Sequence, residues 1–240
     1  MQNSIVIIPA RIGSKRIKKK NIKLFFKKPI ISYAIKTAIK SKLFSKVVVS
    51  TDSEEIAKIA KKYGATDIVY RPHHLANDYA TTIKVIQHAI NHFERKKFKF
   101  KYVCCLYATS VLTGPLDLVK SYKKIISIKN KILFSSGKYS IIPEKSFILK
   151  GSKIKFLASL IYLKKNLQKI LQRNTIQDKE CYYDAGQFYW GEKKNFLSEK
   201  NILSEKNEHY LLPKNRAIDI NDINDWYIAE ALFSYSLKNK

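Results

Sequence analysis

Short runs of continuous apolar residues alternate, along the first half of this chain, with segments whose apolar residues recur every three or four positions. The runs predict strands buried on both faces, and the recurring spacing predicts amphipathic helices. Ile5–Ile8 is the first strand, ended by Pro9. A helix over Pro29–Lys40 follows, with Ile30, Ile31, Ala34, Ile35, Ala38 and Ile39 at helical spacing and Pro29 in its opening turn. Val47–Val49 predicts a second strand. The polar segment Ser50–Glu55 then caps a helix that carries Ile56, Ala57, Ile59 and Ala60 and stops at Gly64. Asp67–Tyr70 predicts a third strand, Arg71-Pro72 a loop, Thr81–Phe93 a helix, and Tyr102–Leu106 a strand apolar enough to be central. This alternation predicts an α/β fold of three layers, a largely parallel sheet with helices on both faces.

The pattern loosens after residue 115. Leu116–Ile128 reads as a helix and Lys131–Ser136 as a strand. From about 138 to 180 the chain is Lys-rich and Gly-poor, with a weakly amphipathic stretch over Phe156–Leu171, and reads as an inserted arm or small subdomain of a single domain. Core signals return in Cys181–Gly191, in Arg216–Asp222, and in a closing helix through Trp226, Ala229, Leu232 and Phe233.

Composition narrows the class. A chain of 240 residues can bury a sizeable core. No apolar run approaches the ~20 residues that a membrane helix needs, and Met1–Pro9 reads as a strand rather than a secretory signal. Two adjacent cysteines and a distant Cys181 make neither a disulfide framework nor a metal-ligand spacing, so the cytoplasm is the expected compartment. The net charge of +27 suggests nucleic-acid binding. Against that, the basic residues are mostly lysines spread along the chain, as on a solvated surface, whereas nucleic-acid readers lean on arginine.

The candidate chemistry sits just past the first strand, in Arg11-Ile-Gly-Ser-Lys-Arg-Ile-Lys-Lys-Lys20-Asn21. Ligands of α/β sheets bind outside the carboxyl ends of strands, and a loop there that offers backbone N–H groups and cations suits a polyphosphate. Arg11 and Lys20 can grip one triphosphate from two sides, and Gly13 permits close approach of the backbone. Gly13 stands alone and no Gly-Lys-Ser/Thr follows, which excludes both the dinucleotide fingerprint and the P-loop. Cys104 and Cys105 read as small core hydrophobes, and His73, His74, His88 and His92 as solvated or partly exposed polar residues.

Several blocks, in order, resemble the CMP-sialic acid synthetase family of cytidylyltransferases. They are Ile7–Lys15, Lys20-Asn21, Val49–Asp52, Gly64, Arg71-Pro72, Leu75-Ala76-x-Asp78, Ala217–Asp219 and Asp225-Trp226. Two further blocks, Tyr107–Val111 and Asp184–Trp190, look like the branch of that family that acts on pseudaminic acid. The resemblance implies a Rossmann-like nucleotidyltransferase fold with a small dimerisation arm. It also implies transfer of CMP from CTP to the anomeric hydroxyl of a nonulosonic acid, dependence on Mg²⁺, and a homodimer. By the same resemblance Ala10, Arg11, Gly13, Ser14, Lys15, Lys20 and Asn21 hold the phosphates and ribose of CTP, Arg71 and Asp78 serve its cytosine end, and Lys20 with Arg11 stabilises developing charge. Tyr107, Thr109, Asp184, Gln187 and Tyr189 face the sugar; in an extended strand Gln187 and Tyr189 share one face.

The metal site departs from the family. Where the family has Asp-x-Asp, this chain has Asp219-Ile-Asn221, so the second ligand is an uncharged amide. Weaker metal binding is the expected result; a rearranged site or an impaired enzyme are the other two outcomes. Two rival functions also stand at this point: a basic nucleic-acid-binding domain, and a weakened family member kept as a scaffolding partner.

Overall fold

A computed structural model describes residues 3–140, 146–150, 153–156 and 180–238. Its main sheet has seven strands: β1 (Ser4–Pro9), β4 (Lys46–Thr51), β5 (Asp67–Tyr70), β6 (Tyr102–Leu106), β7 (Ile132–Lys138), β10 (Tyr182–Glu192) and β11 (Glu208–Leu211), in the order β11-β7-β10-β6-β1-β4-β5. β1 pairs in parallel with both β4 and β6, and β5 with β4. β10 runs antiparallel between β6 and β7, while the edge strand β11 is parallel to β7. The sheet is thus largely parallel, with β6 at its centre as its unbroken apolar run requires.

Alternate residues of each strand feed two cores. Val6, Ile8, Val49, Cys104 and Leu106 pack under α1 (Ile31–Ser41), α2 (Glu54–Lys62) and α4 (Pro115–Ser127), through Ala34, Ile35, Ile56 and Leu118. Ile5, Ile7, Val48, Val103 and Cys105 pack on the other face under α3 (Thr82–Arg95) and α5 (Lys193–Ser198), through Ile86, Ile90, Phe93 and Phe196. A third cluster joins Phe25 and Ile30 to Trp226 and Ala229 of the closing helix α6 (Ile223–Lys238).

Helix α2 begins as expected: the Ser53 hydroxyl accepts from the Ile56 N–H, and Gly64 ends the turn with φ +104°. Pro29 does not open α1. It ends β3 (Lys28–Pro29), which pairs with β2 (Leu24–Phe25) across a turn where Phe26 and Lys27 take positive φ. Lacking an N–H, Pro29 is tolerated at the margin of this two-residue ladder, and α1 starts two residues on. Of the 138–180 segment, only its two ends and a hairpin, β8 (Phe147–Lys150) with β9 (Lys153–Phe156), are described. The ends meet where the Tyr139 N–H donates to the Cys181 carbonyl and Lys138 pairs with Glu180. Most of the Phe156–Leu171 stretch lies outside the described residues.

Candidate active site

From β1 the chain moves to β4 and β5 on one side and then crosses back to β6 on the other, so a crevice opens beyond the carboxyl ends of β1 and β6. The segment after Pro9 folds back into this crevice. The Ile12 N–H donates to Asp52 Oδ1 at 3.0 Å, Asn21 Nδ2 donates to the Arg11 carbonyl at 2.8 Å, and Lys19 takes a left-handed φ of 49°. Asn21 therefore closes the loop and returns Lys20 toward Arg11.

The loop walls a cavity of about 340 Å³, reached by Arg11, Ser14, Lys15, Lys20 and Asn21. Across from them stand Arg71 and Asp78 beyond β5, Tyr107 and Thr109 beyond β6, and Asp219 and Asn221 ahead of α6. Of the remaining predicted site residues, Ala10 is fully buried and uses its N–H on the Ser50 carbonyl. Gly13 is exposed, and a Cβ there would meet no protein atom within 4 Å. Among the described residues nothing therefore requires glycine at that position.

The charges of the cavity are unevenly matched. Arg11 and Lys15 both pair with Asp78, whose carboxyl Lys15 first and then Arg11 hold below the usual range. Lys20 instead donates to the Ile220 carbonyl at 2.6 Å, and Arg16 donates to the Asn221 Oδ1 at 3.0 Å. Arg71, only 9% exposed, donates to the Leu75 carbonyl, while its Nε and Nη2 are buried without a partner among the described residues. Three cations thus face the cavity with neutral partners. Burial is the main cause that lowers the Lys20 pKa; Arg16 and Arg11 lower it further, against the opposing pull of Asp219 and Asp225. Such a set suits an anion.

A second cavity, of about 260 Å³, shares Thr82 with the first and reaches Asp184, Tyr189 and Lys200. The Tyr189 hydroxyl donates to Asp184 Oδ2 at 2.6 Å, and the Tyr107 and Thr82 hydroxyls lie 2.6 Å apart. Burial raises the Asp184 carboxyl above its ordinary range, despite the donors from Tyr189 and Gly186. Gln187 does not join Tyr189 there. It is 1% exposed, its Nε2 donates to the carbonyls of Ala185 and Ile218, and its Oε1 accepts from Thr113. The register of β10 slips between Asp184 and Tyr189, and Gly186 takes φ +58°, so strict alternation fails through this stretch.

A model of the cytidylyltransferase family matches residues 5–212. The chain belongs to the cytidylyltransferase family. This cytidylyltransferase is 36% identical to the pseudaminic acid cytidylyltransferase of Campylobacter jejuni over 96% of each chain. It is 30% identical to the CMP-N,N'-diacetyllegionaminic acid synthase of Legionella pneumophila over 95% of each. The solved structure of CMP:2-keto-3-deoxy-manno-octonic acid synthetase complexed with CTP matches it with a TM-score of 0.67 at 12% identity, covering 97% of this chain and 99% of that one. At that identity the likeness speaks for the fold alone.

In this cytidylyltransferase the Asp219 carboxylate borders the cavity, and burial raises its pKa despite the Asn221 amide and Lys20 beside it. One carboxylate at the wall of a cationic cavity fits the hard-oxygen demand of a divalent cation that keeps waters of its own. Among the described residues no group of three or more His, Cys, Asp or Glu gathers as a metal site, though Asp184 and Asp225 lie near enough to act on the Asp219 carboxyl. Arg16 and Thr82 are cavity residues beyond those expected from the sequence. For Arg16 the signal was its place in the cationic loop. Thr82 gave none, because it reads as an ordinary helix start.

Proposed function

We propose that this cytidylyltransferase transfers CMP from CTP to the anomeric hydroxyl of a nonulosonic acid, pseudaminic acid before its stereoisomers. The hydroxyl oxygen attacks the α-phosphorus, the bond from that phosphorus to the α,β-bridging oxygen breaks, pyrophosphate leaves, and the hydroxyl proton passes to solvent. The observation that carries the reading is the set of three cations with neutral partners, Lys20, Arg16 and Arg71, around one cavity at the sheet's crevice. In-line attack on a polyphosphate asks for neutralised charge and aligned reactants more than for a covalent intermediate.

Arg11, Ser14, Lys15, Lys20 and Asn21 then hold the triphosphate and ribose. Gly13 leaves room for phosphate against the backbone, beside Ala10. The two unpartnered nitrogens of Arg71 suit the carbonyl of cytosine, with Asp78 holding Arg11 and Lys15 in place. Tyr107 and Thr109 line the first cavity, and Asp184 with Tyr189 offers hydrogen bonds to hydroxyl or acylamino groups in the second. Mg²⁺ would be held by Asp219 and, when bound, neutralises charge across the phosphates. CTP as substrate puts the reaction in the cytoplasm. The apolar hairpin β8–β9, with Leu149 and Ile154 exposed, supports a homodimer.

The preference for pseudaminic acid rests on the Tyr107–Val111 and Asp184–Trp190 blocks and on the similarity to the Campylobacter enzyme. The test is pyrophosphate release from CTP and Mg²⁺ with pseudaminic, legionaminic and N-acetylneuraminic acids side by side. Pseudaminic acid is expected to give the highest kcat/KM. A higher value for either competitor changes the substrate, and no release with any of the three removes the reading.

A further inference from the structure

We propose that Asn221 is a positioning residue rather than a metal ligand: its amide ties Arg16 to Asp219 and keeps a full guanidinium charge aimed at the phosphates even when no divalent metal is bound. The inference rests on the reading of the cavity as the CTP site.

The amide is engaged at both ends. Arg16 Nη2 donates to Asn221 Oδ1 at 3.0 Å, and Asn221 Nδ2 donates to Asp219 Oδ2 at 2.8 Å. Chemistry leaves no choice of orientation. A guanidinium has no acceptor and a carboxylate no donor, so the oxygen must face Arg16 and the nitrogen must face Asp219. The backbone holds the residue there: the N–H groups of Asn221 and Asp222 both donate to Asp225 Oδ2, at 2.8 and 3.0 Å, in the cap of α6.

A carboxylate at 221 would behave differently on two counts. It would lie within hydrogen-bond distance of the Asp219 oxygen, where two like charges require a shared proton or a cation between them. It would also form an ion pair with Arg16 and neutralise the charge that the amide leaves intact. An Asp-x-Asp site thus needs its metal to be assembled. The Asp219–Asn221–Arg16 chain is assembled by hydrogen bonds alone, with one cation of the phosphate site held by protein. Arg11 and Lys15, which share Asp78, cannot substitute for it, since their charge is already partly matched.

The experiment is titration calorimetry of the full chain with CTP, in EDTA and in Mg²⁺, for the natural protein, Asn221→Asp, Arg16→Gln and the double variant. Mn²⁺ binding without nucleotide, followed by electron paramagnetic resonance, is measured on the same four proteins. The natural protein is expected to bind CTP in EDTA. Each single variant should weaken that binding by about tenfold or more, the effect of losing a charge-assisted contact. The double variant, which carries the added carboxylate without the guanidinium to pair it, should bind CTP more weakly than either single variant, while Asn221→Asp binds Mn²⁺ more tightly. A double variant that binds no more weakly than Arg16→Gln, unchanged CTP affinity in EDTA for Asn221→Asp, or unchanged Mn²⁺ binding each overturn the inference. CTP binding in Mg²⁺ but not in EDTA by the natural protein also overturns it and leaves the CTP site standing. No CTP binding under either condition removes the site itself, and the inference with it.

Discussion

Lys20 shows how one side chain is prepared by its surroundings. Its ammonium is half-buried, its hydrogen bond goes to the Ile220 carbonyl, and burial lowers its pKa from the ordinary lysine value. Arg16 and Arg11 act in the same direction, and Asp219 and Asp225 oppose them. The charged form is the one that can stabilise phosphate oxygens, so kcat/KM for CTP should fall as pH rises through this lowered pKa, below the pH at which a free lysine would lose its proton. In Lys20→Arg the alkaline fall should move beyond the measurable range, because guanidinium keeps its proton; an unmoved limb would assign the titration to another group. Lys20→Ala should lower kcat by roughly 10²–10³-fold, as removal of one preorganised donor does. Its melting temperature should not fall, since a buried charge without an acidic hydrogen-bond partner is removed. A near-normal kcat takes Lys20 out of the chemistry.

Among the elements, β10 does the least expected work. It enters the parallel sheet antiparallel, between β6 and β7, and breaks register where Gly186 turns to φ +58°. A Cβ at Gly186 would lie 2.8 Å from Asp219 Cγ, so the irregular stretch sets how near Asp219 stands to Asp184. Gly64, also at positive φ, ends α2 far from this chemistry, and a Cβ there meets only the flexible end of Ile39. Gly186→Ala and Gly64→Ala should each cost about 1–3 kcal/mol of stability through backbone strain. Only Gly186→Ala should also change kcat/KM, because it displaces Asp219. Equal kinetics for both variants would detach β10 from the active site. The strands β1, β4, β5 and β6 were legible as unbroken apolar runs bounded by turn residues. The two-residue strands β2 and β3, the short helix α5 and the edge strand β11 were not, since a few half-exposed residues carry no period.

For the molecule as a whole, the charge of +27 finds part of its purpose in one place: Arg11, Lys15, Arg16, Lys20 and Arg71 all border the cavity. On the proposed function, such a field draws in a nucleotide and a sugar acid that would otherwise repel each other. The apolar surface of β8–β9 is the other large-scale feature, with Leu149 69% and Ile154 58% exposed. Sedimentation equilibrium of the natural protein should give a dimer, and Leu149→Asp should shift it toward monomer without unfolding the main sheet. A monomeric natural protein would remove the dimer from the reading.

The sequence alone determined the α/β class, the central strand, and the cationic loop at the end of β1, because continuous apolar runs and clustered charge are local properties of the chain. It also named most of the cavity's walls, through blocks that a family likeness ties together. Tertiary structure decided which charges are matched. Arg16 meets Asn221 across 205 positions, Asp78 takes up Arg11 and Lys15, and Arg71 keeps two nitrogens free. It also withdrew Gln187 into a buried bracket between Ala185, Ile218 and Thr113. A side chain's partner is set by how distant segments pack and by where a strand slips register, and neither is written in the spacing of neighbouring residues.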